Sequence, residues 1–464
     1  MQAERKSEKM GTDPVWRLLL SFSGPAIISM TVAASYNLVD AIFLGRLGAE
    51  ALAAATVAFP MTLAFTAVAA GTGIGAASLV SRRLGAKDNE GADNVAGVTI
   101  SLTVIISALM MLICLPNLEA LARLLGADNT VMPLAIDYMS ILVNFILISF
   151  FPHIMASIIR AEGRPILPSI TLIISSLANI ALDPIFIFGL GPIPALGVAG
   201  AAAATIIARA IGVVIFVLYF ITGRSSYRTR LVYFLPDLKI ILEIYRVGIS
   251  SIIRSAATFM VIGVANRVAG SFGVLPLALI GVFLRLFRFA LMPCLGIGQG
   301  MLPIIGYNYG AKKKERIGEV VFKAALSGLS WTGLVWIIIM LFPSQVISIF
   351  NSIPEFIEAG VKPLRIYSLL FLFIGIQLIP AFFFQAIGKG LPATVISNSR
   401  QVILLLPLLI FLPKILGIAG LWVAFPISDT LALLFSALWM VMELRKQEIP
   451  VLFSAKTNTI RKAD

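Results

Sequence analysis

Residues 84–87, Leu84-Gly85-Ala86-Lys87, recur as Tyr309-Gly310-Ala311-Lys312, an offset of 225. At the same offset, Arg160-Ala161-Glu162-Gly163-Arg164 recurs as Gln385-Ala386-Ile387-Gly388-Lys389. Gly197-Val198-Ala199-Gly200 recurs as Gly417-Ile418-Ala419-Gly420, at 220. Chance can produce one such match. Three in order, at nearly one offset and at matching places between apolar runs, indicate an internal duplication.

What is duplicated is a set of apolar helices. The chain has 464 residues, 59% of them hydrophobic and 13% charged, with a mean hydropathy of +0.98. A soluble domain has about 45–50% apolar and about 25% charged residues, so this chain has too much apolar surface for one water-soluble core. Many runs reach the roughly 20 residues a helix needs to cross the hydrocarbon. Alternation of period two is absent, which argues against a β-barrel, and backbone satisfaction in lipid then leaves helices. The pattern predicts spans over 15–44, 50–82, 95–116, 131–158, 166–190, 194–222, 240–270, 273–303, 317–343, 358–387, 391–413 and 417–444. Met1 to Pro14 is polar and lacks the pattern of a cleaved signal, so the run from Val15 is read as a permanent first span. Cys114 and Cys294 lie in apolar runs and read as small fillers, not as a disulfide framework.

The net charge of +13 could suggest nucleic acid, but the basic residues stand singly between spans. Arg5, Lys6, Lys9 and Arg17 precede span one, and Arg82, Arg83 and Lys87 follow span two. Arg160 and Arg164 follow span four, Arg224, Arg228, Arg230 and Lys239 span six, and Lys312, Lys313, Lys314 and Arg316 span eight. Lys389 follows span ten, and Arg445, Lys446, Lys456, Arg461 and Lys462 end the chain. The other connections hold only Arg46, Arg123, Lys362, Arg365 and Lys414. The positive-inside rule puts both termini in the cytoplasm, in a cell-membrane protein with an even number of spans. With six spans each, the halves run in the same direction. The expected fold is all-α integral membrane: 12 transmembrane helices in two six-helix lobes related by a pseudo-two-fold along the membrane normal. The lobes are 1–222 and 240–464, joined by a cytoplasmic linker at 223–239. Such lobes suit alternating access, so a transporter is expected and not an enzyme. A membrane enzyme would want paired His or Cys ligands, and the chain has one His.

Ionisable groups inside spans are costly and are functional candidates by default. Asp40, Asp183 and Asp429 lie inside spans, away from the ends. Tyr36, Asn37 and Asp40 share a helix face, as do Ser176, Asn179 and Asp183. Pro184 has no N–H, so the Ile180 carbonyl loses its helical partner. The second face thus offers a carboxylate, an amide oxygen and a freed carbonyl, the oxygen ligands that hard cations such as Na⁺ take. Asp183 is 19 residues from Arg164, about 28 Å along a helix, and Asp40 is near the outer end of span one. If close, the two acids share a proton or bind a cation. The alternative is that each acid is held by a buried arginine, with Arg209, Arg254, Arg267, Arg285 and Arg288 available. His153, near the end of span four, reads as a satisfied interior or interfacial residue rather than as part of a proton relay. Gly71-Thr72-Gly73-Ile74-Gly75 reads as close helix packing, and Gly388-Lys389-Gly390-Leu391 is not a nucleotide loop. Pro25 reads as an ordinary membrane-helix proline or as a hinge that couples bending of span one to Asp40.

These residues resemble the multidrug and toxic compound extrusion family. The likeness rests on Asn37 to Gly48 (NLVDAIFLGRLG), Arg160 to Pro165 (RAEGRP), Leu182-Asp183-Pro184 and Gly296 to Lys312 (GIGQGMLPIIGYNYGAK). It covers nearly the whole chain and implies efflux of lipophilic organic cations in exchange for H⁺ or Na⁺, with no cofactor besides the coupling ion. The acids in spans one and five are similar to the DinF-like branch, whose cation site would map to Asp40, Asn179, Asp183 and Thr205. Tyr36, Tyr138 and Ser176 would line the substrate cavity with Asn37, and Pro25 would match the branch's bending proline. The NorM-like branch carries an acidic site in its second lobe, but Arg246 to Ala269 holds no acid here, and Arg254 stands in that region. A monomer is expected, with small organic cations and the bilayer as partners and no nucleic acid. The rival readings are a flippase of lipid-linked or amphiphilic substrates, kept alive by Arg254, Arg285 and Arg288, and a passive channel.

Overall fold

The structure, a computed structural model, describes residues 4–227 and 230–450. The side chains of residues 4–6, 34, 37 and 38 lie outside that description. Asn37, expected in the cavity, therefore falls outside it as a side chain, as do Arg5, Lys6, Arg228, Lys456, Arg461 and Lys462 of the orientation argument. The helices are α1 (Glu4–Thr12), α2 (Val15–Leu47), α3 (Ala49–Gly85), α4 (Asn89–Cys114), α5 (Leu118–Leu124), α6 (Met132–Asn144), α7 (Ile146–Ala161), α8 (Ile166–Phe188) and α9 (Gly197–Ile221). Then follow α10 (Leu238–Ser271), α11 (Val274–Gly310), α12 (Lys314–Leu341), α13 (Pro343–Ser348), α14 (Pro354–Tyr367), α15 (Phe371–Ala386), α16 (Gly390–Asn398), α17 (Leu406–Leu416) and α18 (Ile418–Lys446). Among the described residues, ten stretches are long and apolar enough to cross a membrane. Two bent pairs pass the same test, and counted as one span each they make twelve. The chain is an all-α, multi-pass membrane protein.

Three spans expected as single helices are interrupted. Span four bends by 52° between α6 and α7, and span ten by 43° between α14 and α15. Each bend tightens one turn: Ile148 N–H bonds the Phe145 carbonyl at 3.0 Å, and Phe371 N–H bonds the Ser368 carbonyl at 3.0 Å. These three-residue bonds replace the four-residue ladder and swing the helix axis. Span eleven carries a π-helical segment, Ser399–Leu405, between α16 and α17.

The duplication shows in the backbone. Helices α3 and α11 are capped by Ala86 and Ala311, and the next residues, Lys87 and Lys312, take φ of 63° and 57°. Gly163 and Gly388, with φ of 92° and 80°, close α7 and α15, a left-handed conformation in which a Cβ is penalised. The Gly71, Gly73, Gly75 triplet also has a counterpart 225 residues on, at Gly296, Gly298 and Gly300. Gly73, Gly75, Gly296, Gly298 and Gly300 each permit close packing. A Cβ on Gly75 would lie 2.1 Å from the Ile244 carbonyl oxygen, and one on Gly300 would lie 2.4 Å from Ser23 Oγ.

The chain forms two compact units, Met1–Met10 with Ile28–Gly248, and Gly11–Ile27 with Ile249–Asp464. Helix α2 thus gives its first turns to the second unit, and α10 gives its first turns to the first. The units are therefore not the two halves of the repeat cut at the linker. Within the first unit, the segment after α9 is anchored by Glu162, which is fully buried. Its carboxylate accepts from Tyr219 Oη (2.9 Å), Ser225 Oγ (3.3 Å), Ser226 Oγ (2.7 Å) and the Ser226 backbone N–H. Tyr227 Oη donates to the Ile158 carbonyl at 3.0 Å. Burial, reinforced by the Glu162 carboxylate, pushes the Tyr227 phenol well above its usual range, so it stays a donor. The second unit has an aromatic core in which Phe283, Tyr367, Phe371, Trp422 and Phe425 meet.

Candidate functional site

The first unit gathers the expected acids. Helix α8 is apolar except for one stripe, and Ser176, Asn179 and Asp183 on that stripe are all buried. Helix α9 runs back along α8 because Gly200 lets the backbones approach: a Cβ there would lie 2.2 Å from the Phe186 carbonyl oxygen. That packing delivers Thr205. Asn179 Nδ2 donates to Asp183 Oδ1 at 3.0 Å and to Thr205 Oγ1 at 3.4 Å. Helix α2 brings the half-buried Asp40 within electrostatic reach of Asp183. Helix α6 adds Tyr138, buried and within electrostatic reach of Asp40, Tyr36, Asp183 and Arg209.

The oxygens left over define the chemistry. Asp40 Oδ1, Ser176 Oγ, Asn179 Oδ1 and Asp183 Oδ2 are buried and have no hydrogen-bond partner among the described residues. Such an atom costs about 1–3 kcal/mol, and more where it is charged. Asp40 and Asp183 take part in none of the ion pairs among the described residues. Arg209 donates to Ser149 Oγ at 2.7 Å. Burial by arginine is therefore not how these acids are held. Two carboxylates with spare oxygens, an amide oxygen and a hydroxyl fit a proton or a small hard cation.

Asp429 is different. Arg400, absent from the arginines considered above, bonds its carboxylate and stacks 4.5 Å from the Phe287 ring. A charge inside apolar span eleven was the available signal. His153 bonds the Ser149 carbonyl at 3.1 Å but is exposed, so it is not an interior residue. Pro25 lies within α2 in the part that belongs to the second unit, three residues before the helix passes to the first at Ile28. Of the other arginines named, Arg267, Arg285 and Arg288 are exposed, and Arg254 is half-buried.

The MatE family profile matches residues 25–185 and 250–411, one block in each half of the repeat. The chain belongs to the MatE family. Among curated MatE relatives, the multidrug export protein MepA of Staphylococcus haemolyticus is 25% identical over 436 residues, 93% of this chain and 94% of that one. A MATE transporter solved in a bent conformation superposes with a TM-score of 0.90 at 28% identity, covering 96% of this chain and 98% of the other. A transporter of the MOP superfamily from Pyrococcus furiosus, described by a binding pocket of reverse polarity, gives 0.88 at 28%, covering 96% and 99%. Similarity along the full length makes this MatE chain a transporter of the same build.

Proposed function

We propose that this protein exports lipophilic organic cations across the cell membrane in exchange for H⁺ or Na⁺, by alternating access, with its termini in the cytoplasm. Asp40, Asn179, Asp183 and Thr205 form the coupling-ion site, and Tyr36, Tyr138 and Ser176 border it on the substrate side. The observation that carries this reading is the set of buried, unpartnered oxygens on α2 and α8, with two acids and no arginine between them. Two neighbouring carboxylates do not both ionise freely, so they bind a proton or a cation and titrate as a pair. Neutralising the pair weakens its hold on an organic cation, which then leaves. The close relation to a multidrug export protein over nearly the whole chain supports the same substrate class. Pro25 stands next to the point where α2 changes unit, a suitable place for the bend that follows neutralisation.

The test is efflux of a fluorescent lipophilic cation from proteoliposomes under an imposed H⁺ or Na⁺ gradient, for wild type and for Asp183→Asn. One gradient should drive wild type, and neither should drive the variant. Undiminished gradient-driven efflux by Asp183→Asn sinks the proposal. If neither gradient moves the dye in wild type, the flippase reading replaces it, and Arg254 is the observation that favours that alternative.

A further inference from the structure

The second unit has a half-buried cation with no counter-ion among the described residues. Arg254 is on α10, one turn beyond Ser250 and Ser251, whose hydroxyls accept from Gln385 Nε2 at 3.0 and 3.3 Å. One turn further on, Thr258 Oγ1 bonds Gln401 Oε1 of the π-helical segment at 3.0 Å. Arg254 lies between these two contacts on α10. Its Nη1 is buried with no hydrogen-bond partner, and it joins none of the ion pairs among the described residues. What it meets is the Phe382 ring, 5.7 Å from the guanidinium carbon. Phe382 is itself fixed, because Gly298 leaves just the room its ring fills: a Cβ there would lie 2.1 Å from the ring. Gln377, a turn and a half back from Phe382 on α15, also has a buried amide nitrogen, Nε2, with no acceptor.

A guanidinium seated on an aromatic face with its fork unspent matches planar oxyanions in a bidentate way. An ionised group inside a span is a functional candidate by default, and no acid in the 246–269 stretch answers this one. We propose that Arg254 is the receptor for an oxyanion, a carboxylate or a phosphate, carried by an amphiphilic molecule that the protein handles. The inference rests on the transporter reading above for its ligand class and places the oxyanion contact within the second unit. It does not depend on which ion drives transport.

The experiment is equilibrium binding in nanodiscs, which needs no gradient. The first pair of probes is a fluorescent amphiphile bearing a tertiary amine and a carboxylate, and the methyl ester of the same molecule. The second is a short-chain phosphatidylglycerol and a short-chain diacylglycerol, each as competitor. Arg254→Met should weaken the acid by about tenfold or more, the scale of a hydrogen bond to a charged group, and leave the ester unchanged. Arg254→Lys should fall between, since an ammonium keeps the charge and loses the fork. Loss confined to the acid assigns a substrate carboxylate, and loss confined to phosphatidylglycerol assigns a lipid phosphate. Equal loss of acid and ester, or no loss in either pair, overturns the proposal. Ester binding also reports that the variant is folded. A protein that binds these probes as expected yet shows no gradient-driven efflux leaves this inference standing while the antiport reading falls.

Discussion

Removing the partner of Arg400 gives the sharpest test of how the second unit is held together. Arg400 and Asp429 retain 15% and 3% side-chain exposure, so the pair is nearly desolvated. Replacing Asp429 by Asn keeps the shape but leaves Arg400 without a counter-charge against the Phe287 ring. Breaking a buried pair in this one-sided way costs roughly 3–5 kcal/mol. For a large chain that corresponds to a fall in melting temperature on the order of 10 °C. Replacing both partners by apolar groups, Arg400→Met with Asp429→Leu, removes the desolvation penalty with the attraction and should return most of the stability. The assay is thermal unfolding in detergent, followed by fluorescence-detected size exclusion, on wild type, both singles and the double. Gradient-driven efflux is measured on the same four proteins. The double variant should export like wild type, because Asp429 is neutralised and plays no part in coupling. A double variant as unstable as Asp429→Asn would refute the ion-pair account. A stable double variant that has lost its gradient dependence would show that Asp429 belongs to the coupling machinery.

Thr205→Val removes the weaker of the two Asn179 contacts, at 3.4 Å, and should slow coupled efflux by a fewfold, about 0.5–1.5 kcal/mol, while Asp183→Asn abolishes it. Gly388→Ala places a Cβ at φ 80° and should cost about 1–2 kcal/mol, whereas Lys312→Gly, at φ 57°, should be neutral or stabilising; thermal shifts of opposite sign check both. Glu162→Ala should release the segment after α9, and limited trypsin digestion of reconstituted protein should then cut after Arg224 or Arg230 much faster than in wild type.

The twelve spans were legible because hydrocarbon thickness imposes a length on every apolar run. The bends in spans four and ten were not, since Phe145 and the Ser368–Leu370 turn carry neither Gly nor Pro, and the tightening is set by tertiary packing. Asp40, Asn179 and Asp183 were visible as charges and amides at helical spacing inside apolar runs. Their company with Tyr138 was readable only by resemblance, because no local spacing links span four to span one. Arg400 is a charge inside an apolar run, the same signal that Asp40 carries, and its pairing with Asp429 has no local spacing to announce it. Glu162 stands inside the 160–164 repeat, but its partners Ser225 and Ser226 come from a segment with no periodic signal.

The repeat explains why the two units share a scaffold yet differ in chemistry. What recurs between them is backbone: the left-handed lysines at 87 and 312, the glycines at 163 and 388, and the two glycine triplets under the opening turns of α10 and α2. These positions govern whether helices can close on one another, and a change at any of them is felt by the whole bundle. The polar side chains are under no such constraint. Shifted by the 220-residue offset, Arg209 of α9 falls on Asp429 of α18, so one helix pair carries its acid where the other carries its base. In the first unit the acids of α2 and α8 remain without an arginine and so can respond to a proton or cation. In the second unit the acid is spent on Arg400 and the remaining interior cation, Arg254, is left to respond to an anion. Each unit is thus left with unsatisfied groups of one sign, acids in the first that answer a proton or cation and a guanidinium in the second that answers an anion, and the ester and acid probes read the second by itself.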